Sequence, residues 1–484
     1  MTVEALRRRG EAMCRELGLE SYRTGAGLSA VSHFAEIFDR YPDLADDRAV
    51  EAARGHRELF EWVVENRVGR AVAALDDRLH AWEARARITL PGGESLPYQR
   101  AAIETANEAD RARRLAIDGA RRAVLAEPAA MRRERLTLER ELLAGLGLGD
   151  PVTARSGLSG VDLRALGASC ADFLASTEDL YRAVLAEETR RELGLAPEDA
   201  DRTDAAFLFR EAGYDEYFPA GALLEIARRQ LAEMDLDADA QGRIRYDTGD
   251  RERKRSRAFC SPARVPDEVY LVIRPFGGQT DYRAFWHELG HAQHFANVSP
   301  DLPFEHRWLG DNSVTEAFAM LFEHMVVEPT WLRRYAGLEG ERQRRFRRSQ
   351  AFALLAILRR YAAKLRYELA LHAAPTVTEG ARHYAPMLSA ATGFRYPAED
   401  ALLDLDDAFY AARYLRAWQL EAMLAGSLRE RFGDDWFVDP RAGGWLRGLF
   451  ALGQRDDAAR LAATTLGREL DFGPLVTRVA AALT

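Results

Sequence analysis

The five residues with the sequence HELGH at positions 287–291 carry the spacing that most clearly indicates chemistry. On an α-helix, residues four apart lie on one face about 6 Å apart along the axis, so the imidazoles of His287 and His291 can reach one metal ion. Glu288 is rotated by about 100° from His287, which places its carboxylate beside that ion. There it can take a proton from water. The spacing predicts a zinc site with a general base next to it.

A catalytic zinc needs a third protein ligand and keeps its fourth position open. The candidate is Glu316, which follows in an apolar stretch that we predict to be a second helix, with Glu316 in its first turn. A second interpretation stays open, because Ser313 and Glu316 also have the spacing of a capping box, in which the carboxylate bonds a backbone amide instead of a metal. Glu323, two turns further on the same face, is predicted to support a ligand histidine.

His294 lies on the same helical face as His287, about 10 Å further along the axis, which is too far for both to bind one ion comfortably. We therefore predict that His294 lies beside the metal site and is not a ligand. The alternative for the whole stretch is that the two histidines of the motif are hydrogen-bonded residues of a buried core helix.

Composition places the chain among ordinary globular proteins. It has 484 residues, of which 47% are hydrophobic and 30% charged, and a net charge of −9. This length exceeds what one core usually holds, so we expect a helical N-terminal lobe over residues 1–200 and a zinc-binding catalytic lobe over 201–484, partly interleaved. The basic residues are spread among acidic ones, which argues against a nucleic-acid partner.

The sequence shows neither a targeting signal nor a membrane-spanning stretch in the two regions with the relevant composition. The N-terminal segment has no apolar stretch of signal-peptide length, and the apolar run at 351–358 is far too short to span a membrane. The three cysteines are widely spaced and odd in number, so they predict no disulfide framework. We expect a cytoplasmic protein with no membrane partner.

Helical periodicity dominates the sequence. From Thr2 to about Ala196, apolar residues recur every three or four positions, which predicts long antiparallel helices with one turn, flanked by short strands, at 88–97. Residues 269–274 are β-branched and aromatic and predict a strand. Gly277 and Gly278 follow it shortly before His287, so we expect a free strand edge and these glycines near the metal, where an extended peptide can bind as an added strand.

These segments resemble the catalytic core of the thimet oligopeptidase and oligoendopeptidase F family of zinc peptidases. The resemblance covers residues 254–260, the strand, the H-E-x-G-H-x-x-H form that His294 completes, and the two later glutamates. It implies a mainly α, two-lobed zincin-type fold with a deep channel and a small β-sheet beside the active-site helix. It also implies one Zn²⁺ per chain and cleavage of short peptides. We expect a monomer or homodimer that acts on short unfolded peptides.

The same resemblance implies a phenol that stabilises the oxyanion formed during peptide hydrolysis. Residues 409–414 are similar to the Tyr-rich segment of the family, although its glycines and an upstream histidine are missing here. We favour Tyr414 as the donor, with Tyr410 as the second candidate. The alternative is that both rings are packing residues of a core helix. The pair Arg413-Tyr414 is also similar to the angiotensin-converting-enzyme-like family.

Three further features are weaker candidates for substrate contacts. His383, and with it His372, follows a helical stretch that the channel of the family would place near substrate. The basic run 251–257 has the charge to bind a peptide carboxylate, although such runs are often solvated loops. Two other functions stay open: a carboxypeptidase or dipeptidyl carboxypeptidase of the same architecture, and a peptide-binding protein with weak catalysis.

Overall fold

A computed structural model describes all 484 residues, and helices account for most of them. Up to residue 233 the elements are α1 (Val3–Gly25), α2 (Phe34–Arg40), α3 (Asp47–Ala53), α4 (Arg57–Arg85), β1 (Arg87–Thr89), β2 (Ser95–Pro97), α5 (Ala101–Asn107), α6 (Arg111–Arg122), α7 (Ala126–Gly145), α8 (Pro151–Ser159), α9 (Leu163–Ser176), α10 (Glu178–Glu188), α11 (Arg202–Leu208) and α12 (Leu223–Glu233).

The remaining elements begin with three strands and end with helices. They are β3 (Ile244–Asp247), β4 (Phe259–Arg264), β5 (Glu268–Val272), α13 (Gln279–Ala296), α14 (Asn312–Met325), α15 (Pro329–Trp331), α16 (Gly340–Ala373), α17 (Val377–Ala381), α18 (Tyr384–Thr392), α19 (Tyr410–Phe432), α20 (Pro440–Phe450), α21 (Ala458–Leu461) and α22 (Gly473–Leu483). The predicted mainly α class with one small sheet is confirmed. None of the helices combines the length and apolar character needed to cross a membrane.

The chain forms two compact units, each assembled from three segments. The first unit contains Met1–Arg67, Ala212–Arg348 and Arg413–Arg478, and the second contains Val68–Glu211, Ser349–Ala412 and Val479–Thr484. The expected lobes over 1–200 and 201–484, partly interleaved, stay a prediction. In the first unit α1 packs on α2 and α3 and also on β4, so the N-terminal segment joins residues that are distant in sequence.

The first unit holds a three-stranded sheet in the order β3, β5, β4. β3 runs parallel to β5, and β4 runs antiparallel to it with Cys260 opposite Leu271. The predicted strand at 269–274 corresponds to β5, but β5 is paired on both sides, so the expectation of a free edge on this strand is wrong. The edge strand next to α13 is β4.

Two features fix α13 in the first unit. At Gly290, an added Cβ would lie 2.6 Å from both the carbonyl oxygen of Phe318 and the Cα of Ala319, so the missing side chain lets α13 and α14 cross at close range. On another side of α13, the buried Gln230 Oε1 accepts hydrogen bonds of 2.9 Å from the indole N–H groups of Trp286 and Trp331. These contacts determine where the residues next to Gly290 and Trp286 point.

The second unit is helical apart from the β1–β2 ribbon, in which Ile88 pairs with Leu96, within the break predicted at 88–97. Its interior contains a cluster of charged side chains on and near α16. Lys364 Nζ bonds Asp406 Oδ1 at 2.7 Å, and Asp404 accepts from Tyr384 and pairs with Arg360.

Candidate metal centre

Three side chains of the first unit converge on one point. Glu316 Oε2 lies 3.4 Å from His287 Nε2 and 3.5 Å from His291 Nε2, and one ligand atom from each of the three residues lies within 4.8 Å of the others. Two ligands bound at about 2.0–2.1 Å to one tetrahedral zinc ion are about 3.3 Å apart. The donor set and its spacing therefore fit a zinc ion held by two imidazoles and a carboxylate.

The outer nitrogens of both imidazoles have partners that fix the rings. His287 Nδ1 lies 3.0 Å from Glu323 Oε2, and His291 Nδ1 lies 2.9 Å from Thr315 Oγ1. When Nδ1 carries the proton and donates it to these oxygens, Nε2 keeps a lone pair that faces Glu316. Such partners orient ligand imidazoles and raise their basicity. Glu323 lies where the sequence predicted support for a ligand histidine, and Arg283 pairs with its other oxygen.

Glu288 stands next to the convergent atoms but bonds a different group. Its Oε2 accepts a hydrogen bond of 2.8 Å from the backbone N–H of Cys260 in β4. Burial raises the pKa of Glu288, and the imidazoles of His291 and His287 act in the opposite direction, leaving the pKa above its usual value. A carboxylate with a raised pKa can accept a proton and release it again, as a general base must.

Electrostatics around the three candidate ligands favour a cation. Burial lowers the pKa of His287, but the carboxylates of Glu316 and Glu323 outweigh burial and hold that pKa well above its usual value. Burial raises the pKa of Glu316, and the two imidazoles reverse this, so its pKa is well below the usual value. The carboxylates of the cluster thus remain charged and attract positive charge to the position that faces both Nε2 atoms.

The start of α14 decides between the two interpretations of Glu316. The N-cap is Asp311, whose Oδ1 accepts a 3.0 Å hydrogen bond from the backbone N–H of Ser313. Ser313 is therefore inside the helix, and Glu316 lies in the second turn, not in the first as predicted. The capping-box alternative is wrong, since Asp311 does the capping and the Glu316 carboxylate faces the imidazoles.

His294 is fully buried and faces away from the candidate ligands. Its Nε2 lies 3.3 Å from the carbonyl oxygen of Gly453, and its ring packs among Phe295, Phe318 and Phe450. Burial lowers the pKa of His294 to about 3, so the ring is neutral and Nε2 donates to the carbonyl. His294 is thus a packing residue that forms no hydrogen bond with a candidate ligand. Its predicted role beside the metal site stays a prediction.

The two glycines predicted to contact substrate form the turn before α13. Gly277 and Gly278 have φ values of 87° and 90°, which favour glycine. The N–H of Gly278 donates to Phe218 O at 2.8 Å, and an added Cβ would lie 2.6 Å from Asp215 Oδ1. Gly278 is thus packed against neighbouring backbone in this structure. The substrate role of both glycines stays a prediction, as does that of His383, an exposed residue of the second unit.

Comparison with solved structures identifies the fold. A crystal structure described as a "putative oligoendopeptidase F" from Bacillus anthracis str. Ames matches with a TM-score of 0.61 over 95% of this chain and 86% of that chain, at 14% sequence identity. The chain has the oligoendopeptidase F fold. No protein-family model and no curated protein sequence matches it. The resemblance seen in the sequence is confirmed for the fold, whereas the similarity to the angiotensin-converting-enzyme-like family gains no support.

The two candidate tyrosines lie on α19, as expected for helical packing or for a phenol presented from a helix. Tyr410 is the first residue of α19, and the half-buried Tyr414 ring lies 5.8 Å from the Trp418 ring. Arg413, the neighbour of Tyr414 and the cation that a carboxypeptidase alternative would use to bind a peptide C-terminus, forms an ion pair with Glu61. An arginine neutralised in this way is a poor anchor for a substrate carboxylate. The oxyanion role of Tyr414 and Tyr410 stays a prediction.

Sequence reasoning missed three groups that shape the candidate centre of this oligoendopeptidase F fold. The Cys260 N–H is a backbone group, so no side-chain motif signals it. Thr315 directly precedes Glu316, and that adjacency is a usable signal, because neighbouring residues at the start of one helix turn can reach both a metal and a ligand ring. Gln230 lies far from the motif in sequence and gives no local signal.

Proposed function

We propose that the protein is a zinc-dependent oligopeptidase that hydrolyses peptide bonds of short unfolded peptides. The observation that carries this proposal is the convergence of His287, His291 and Glu316 with a carboxylate, Glu288, beside them. The oligoendopeptidase F fold supports a peptidase, and the donor set supports zinc in particular, since two imidazoles and one carboxylate are a common ligand set of catalytic zinc in peptidases.

When bound, zinc would polarise the scissile carbonyl and lower the pKa of water toward neutrality. The residues of the chain supply the rest. Glu288 takes the proton of the attacking water and delivers it to the leaving amine. The Cys260 N–H holds one oxygen of Glu288 in place, so the other oxygen is the one that takes the proton. Tyr414 donates a hydrogen bond from its phenol to the developing oxyanion, with Tyr410 as the alternative donor.

The peptide is expected to bind along β4. This strand is at the edge of the sheet, and Cys260 within it bonds Glu288, so a peptide beside β4 has its backbone next to the general base. We further propose that the protein acts in the cytoplasm on peptides, with neither nucleic acid nor membrane as a partner, and as a monomer or homodimer.

The test is the variant Glu288→Gln, which keeps the size and hydrogen-bonding oxygen of the side chain and removes its basicity. We expect it to retain stoichiometric zinc and to lose about 10²–10⁴-fold in kcat, the range typical of a missing general base. Metal content is measured by mass spectrometry, and turnover by cleavage of a mixed peptide library. Unaltered turnover in the zinc-loaded variant would contradict the mechanism.

The matched control is Glu225→Gln, the same change at an exposed residue of α12, which we expect to turn over peptides like the parent protein. The library also separates the alternative functions. Removal of residues only from free C-termini would identify a carboxypeptidase. Binding of peptides without cleavage by fully zinc-loaded protein would identify a peptide-binding protein.

A further inference from the structure

The basic run at 251–257 is divided by the fold into an inner and an outer set of cations. The inner set is Arg251 and Lys254, which both pair with Asp247. Lys254 is fully buried, and its Nζ also donates to the carbonyl oxygens of Asp247 and Gly249 at 2.7 and 2.9 Å. These bonds fix the loop, because all three N–H groups of the Lys254 ammonium donate to residues 247–249.

The outer set consists of Arg253, Arg255 and Arg257, and we call these three residues the outer arginines. All three are exposed, and none forms an ion pair. Arg255 lies over the ring of Phe259 at 5.6 Å, while its backbone N–H bonds Gly25 O at 2.9 Å. In a chain with a net charge of −9, three exposed arginines within five residues and without an acidic partner give this loop a local positive charge that suits a carboxylate.

The outer arginines lie close to the candidate centre along the chain. Arg257 precedes Cys260, whose N–H bonds Glu288, by three residues. An extended chain spans about 3.3 Å per residue, so the backbone of Arg257 is at most about 10 Å from that of Cys260. α1 packs along β4, since a Cβ at Gly18 would lie 2.4 Å from Pro262 O and a Cβ at Gly25 would lie 2.4 Å from Phe259 Cζ. Cys260, whose N–H reaches Glu288, lies between these two contacts and follows the last outer arginine by three residues.

Strand pairing sets the direction of a peptide at this edge. A peptide that pairs antiparallel with β4 runs toward Arg257 with its C-terminal side. We propose that the outer arginines form a subsite for a carboxylate located about three residues beyond the scissile bond on its C-terminal side. This inference rests on the proposed peptidase function. The carboxylate is either the C-terminus of the substrate or the side chain of Asp or Glu, and both satisfy a guanidinium in the same way.

Four matched peptides test the subsite. They share one sequence that the zinc-loaded enzyme cleaves, carry Asp or Asn at the third residue after the cleaved bond, and end in a free acid or an amide there. We expect kcat/KM for a peptide with a carboxylate to exceed that of the Asn amide by about tenfold, from several exposed ion pairs of a few-fold each. The preference should shrink as ionic strength rises.

The variant R253Q/R255Q/R257Q is expected to bring this ratio close to one. The control R48Q/R333Q/R344Q removes the same total charge from exposed residues of the same unit that form no ion pairs, and should keep the ratio. This control separates a local subsite from the general effect of charge.

The four peptides also identify the source of the carboxylate. A preference for Asp in the amide series assigns a side chain, and a preference confined to free acids assigns the C-terminus and an enzyme that trims near it. Equal rates for all four peptides, or an equal loss of preference in the control, overturn the subsite and leave the peptidase intact. Failure of zinc-loaded protein to cleave any library peptide overturns both the subsite and the proposed peptidase function.

Discussion

Each unit contains a cluster of buried carboxylates, and the two clusters differ in how their charge is balanced. In the second unit, Asp404 and Asp406 face Arg360 and Lys364. Nearby Glu368 is buried, and burial raises its pKa to about 8, so this carboxyl is largely protonated at neutral pH. Two negative charges meet two permanent positive charges, and the cluster is neutral without help.

In the first unit, the charges of the protein side chains in the cluster do not cancel. Glu316 and Glu323 are ionised, because neighbouring positive groups hold their pKa values well below the usual range, and Arg283 pairs with Glu323. Their other partners here are the imidazoles of His287 and His291, which are neutral when they bind a metal. With neutral imidazoles a negative charge remains at Glu316, and a divalent cation would offset it. The cluster paired with Lys and Arg is thus balanced by the protein itself, whereas the cluster in which one carboxylate meets two imidazoles has the donor set of a metal site.

The largest expected effect follows from removing one ligand charge. Glu316→Gln leaves the side-chain shape but lowers the negative charge next to both Nε2 atoms, so we expect zinc affinity to fall more than about 100-fold, beyond what loss of an outer partner costs. Competition with a chromophoric chelator measures it. Glu225→Gln is the control. Unchanged zinc affinity in Glu316→Gln would contradict the assignment of Glu316 as a metal ligand.

A smaller effect is expected at Glu323, which bonds a ligand imidazole and does not face the ion. Glu323→Gln keeps an oxygen for His287 Nδ1 but removes the charge that raises the basicity of the ring, and Arg283 loses its partner. We expect zinc affinity to fall about 10–100-fold. The same chelator competition applies. If Glu323→Gln weakens binding more than Glu316→Gln does, the two residues have exchanged roles.

The smallest effect concerns the charged cluster of the second unit, which includes Glu368. The folded-state pKa of Glu368 is raised to about 8, so its contribution to stability is complete below its unfolded pKa and is lost as pH rises through about 8. Between pH 6 and pH 9 the protein should lose about 2 kcal/mol of unfolding free energy that Glu368→Gln retains.

Thermal unfolding of zinc-loaded protein at the two pH values detects this loss as a fall in melting temperature. The control is Glu399→Gln, an acid of the same unit whose side chain is 49% exposed. An identical pH response of the parent protein and Glu368→Gln would show that Glu368 is already ionised at pH 6.

Local patterns predicted those parts of the protein that depend on one element. The HELGH motif specifies its geometry on one helix, so His287, Glu288 and His291 could be placed from spacing alone. Glu316 needed a second helix, which begins two residues earlier than predicted, because Asp311 caps α14 in place of Ser313. The choice of cap depends on the preceding backbone, which the sequence does not describe.

Non-local pairing explains the other differences. The pattern at 269–274 correctly predicted a strand, but the same pattern fits a central strand and an edge strand, and only the pairing with β3 and β4 decides. Likewise, the N-terminal helix gives no sign in its own periodicity that it packs on β4. Gly18 is the residue that permits this contact, and its partner Pro262 is more than two hundred residues away in sequence.

Two indole rings share one acceptor oxygen directly behind the candidate centre. Trp286 immediately precedes His287, and both Trp286 and Trp331 donate to Gln230 Oε1. A rotation of α13 on metal uptake would change the hydrogen bond of Trp286, which is next to a candidate ligand on the same helix. Intrinsic tryptophan fluorescence would then report metal binding without an added label.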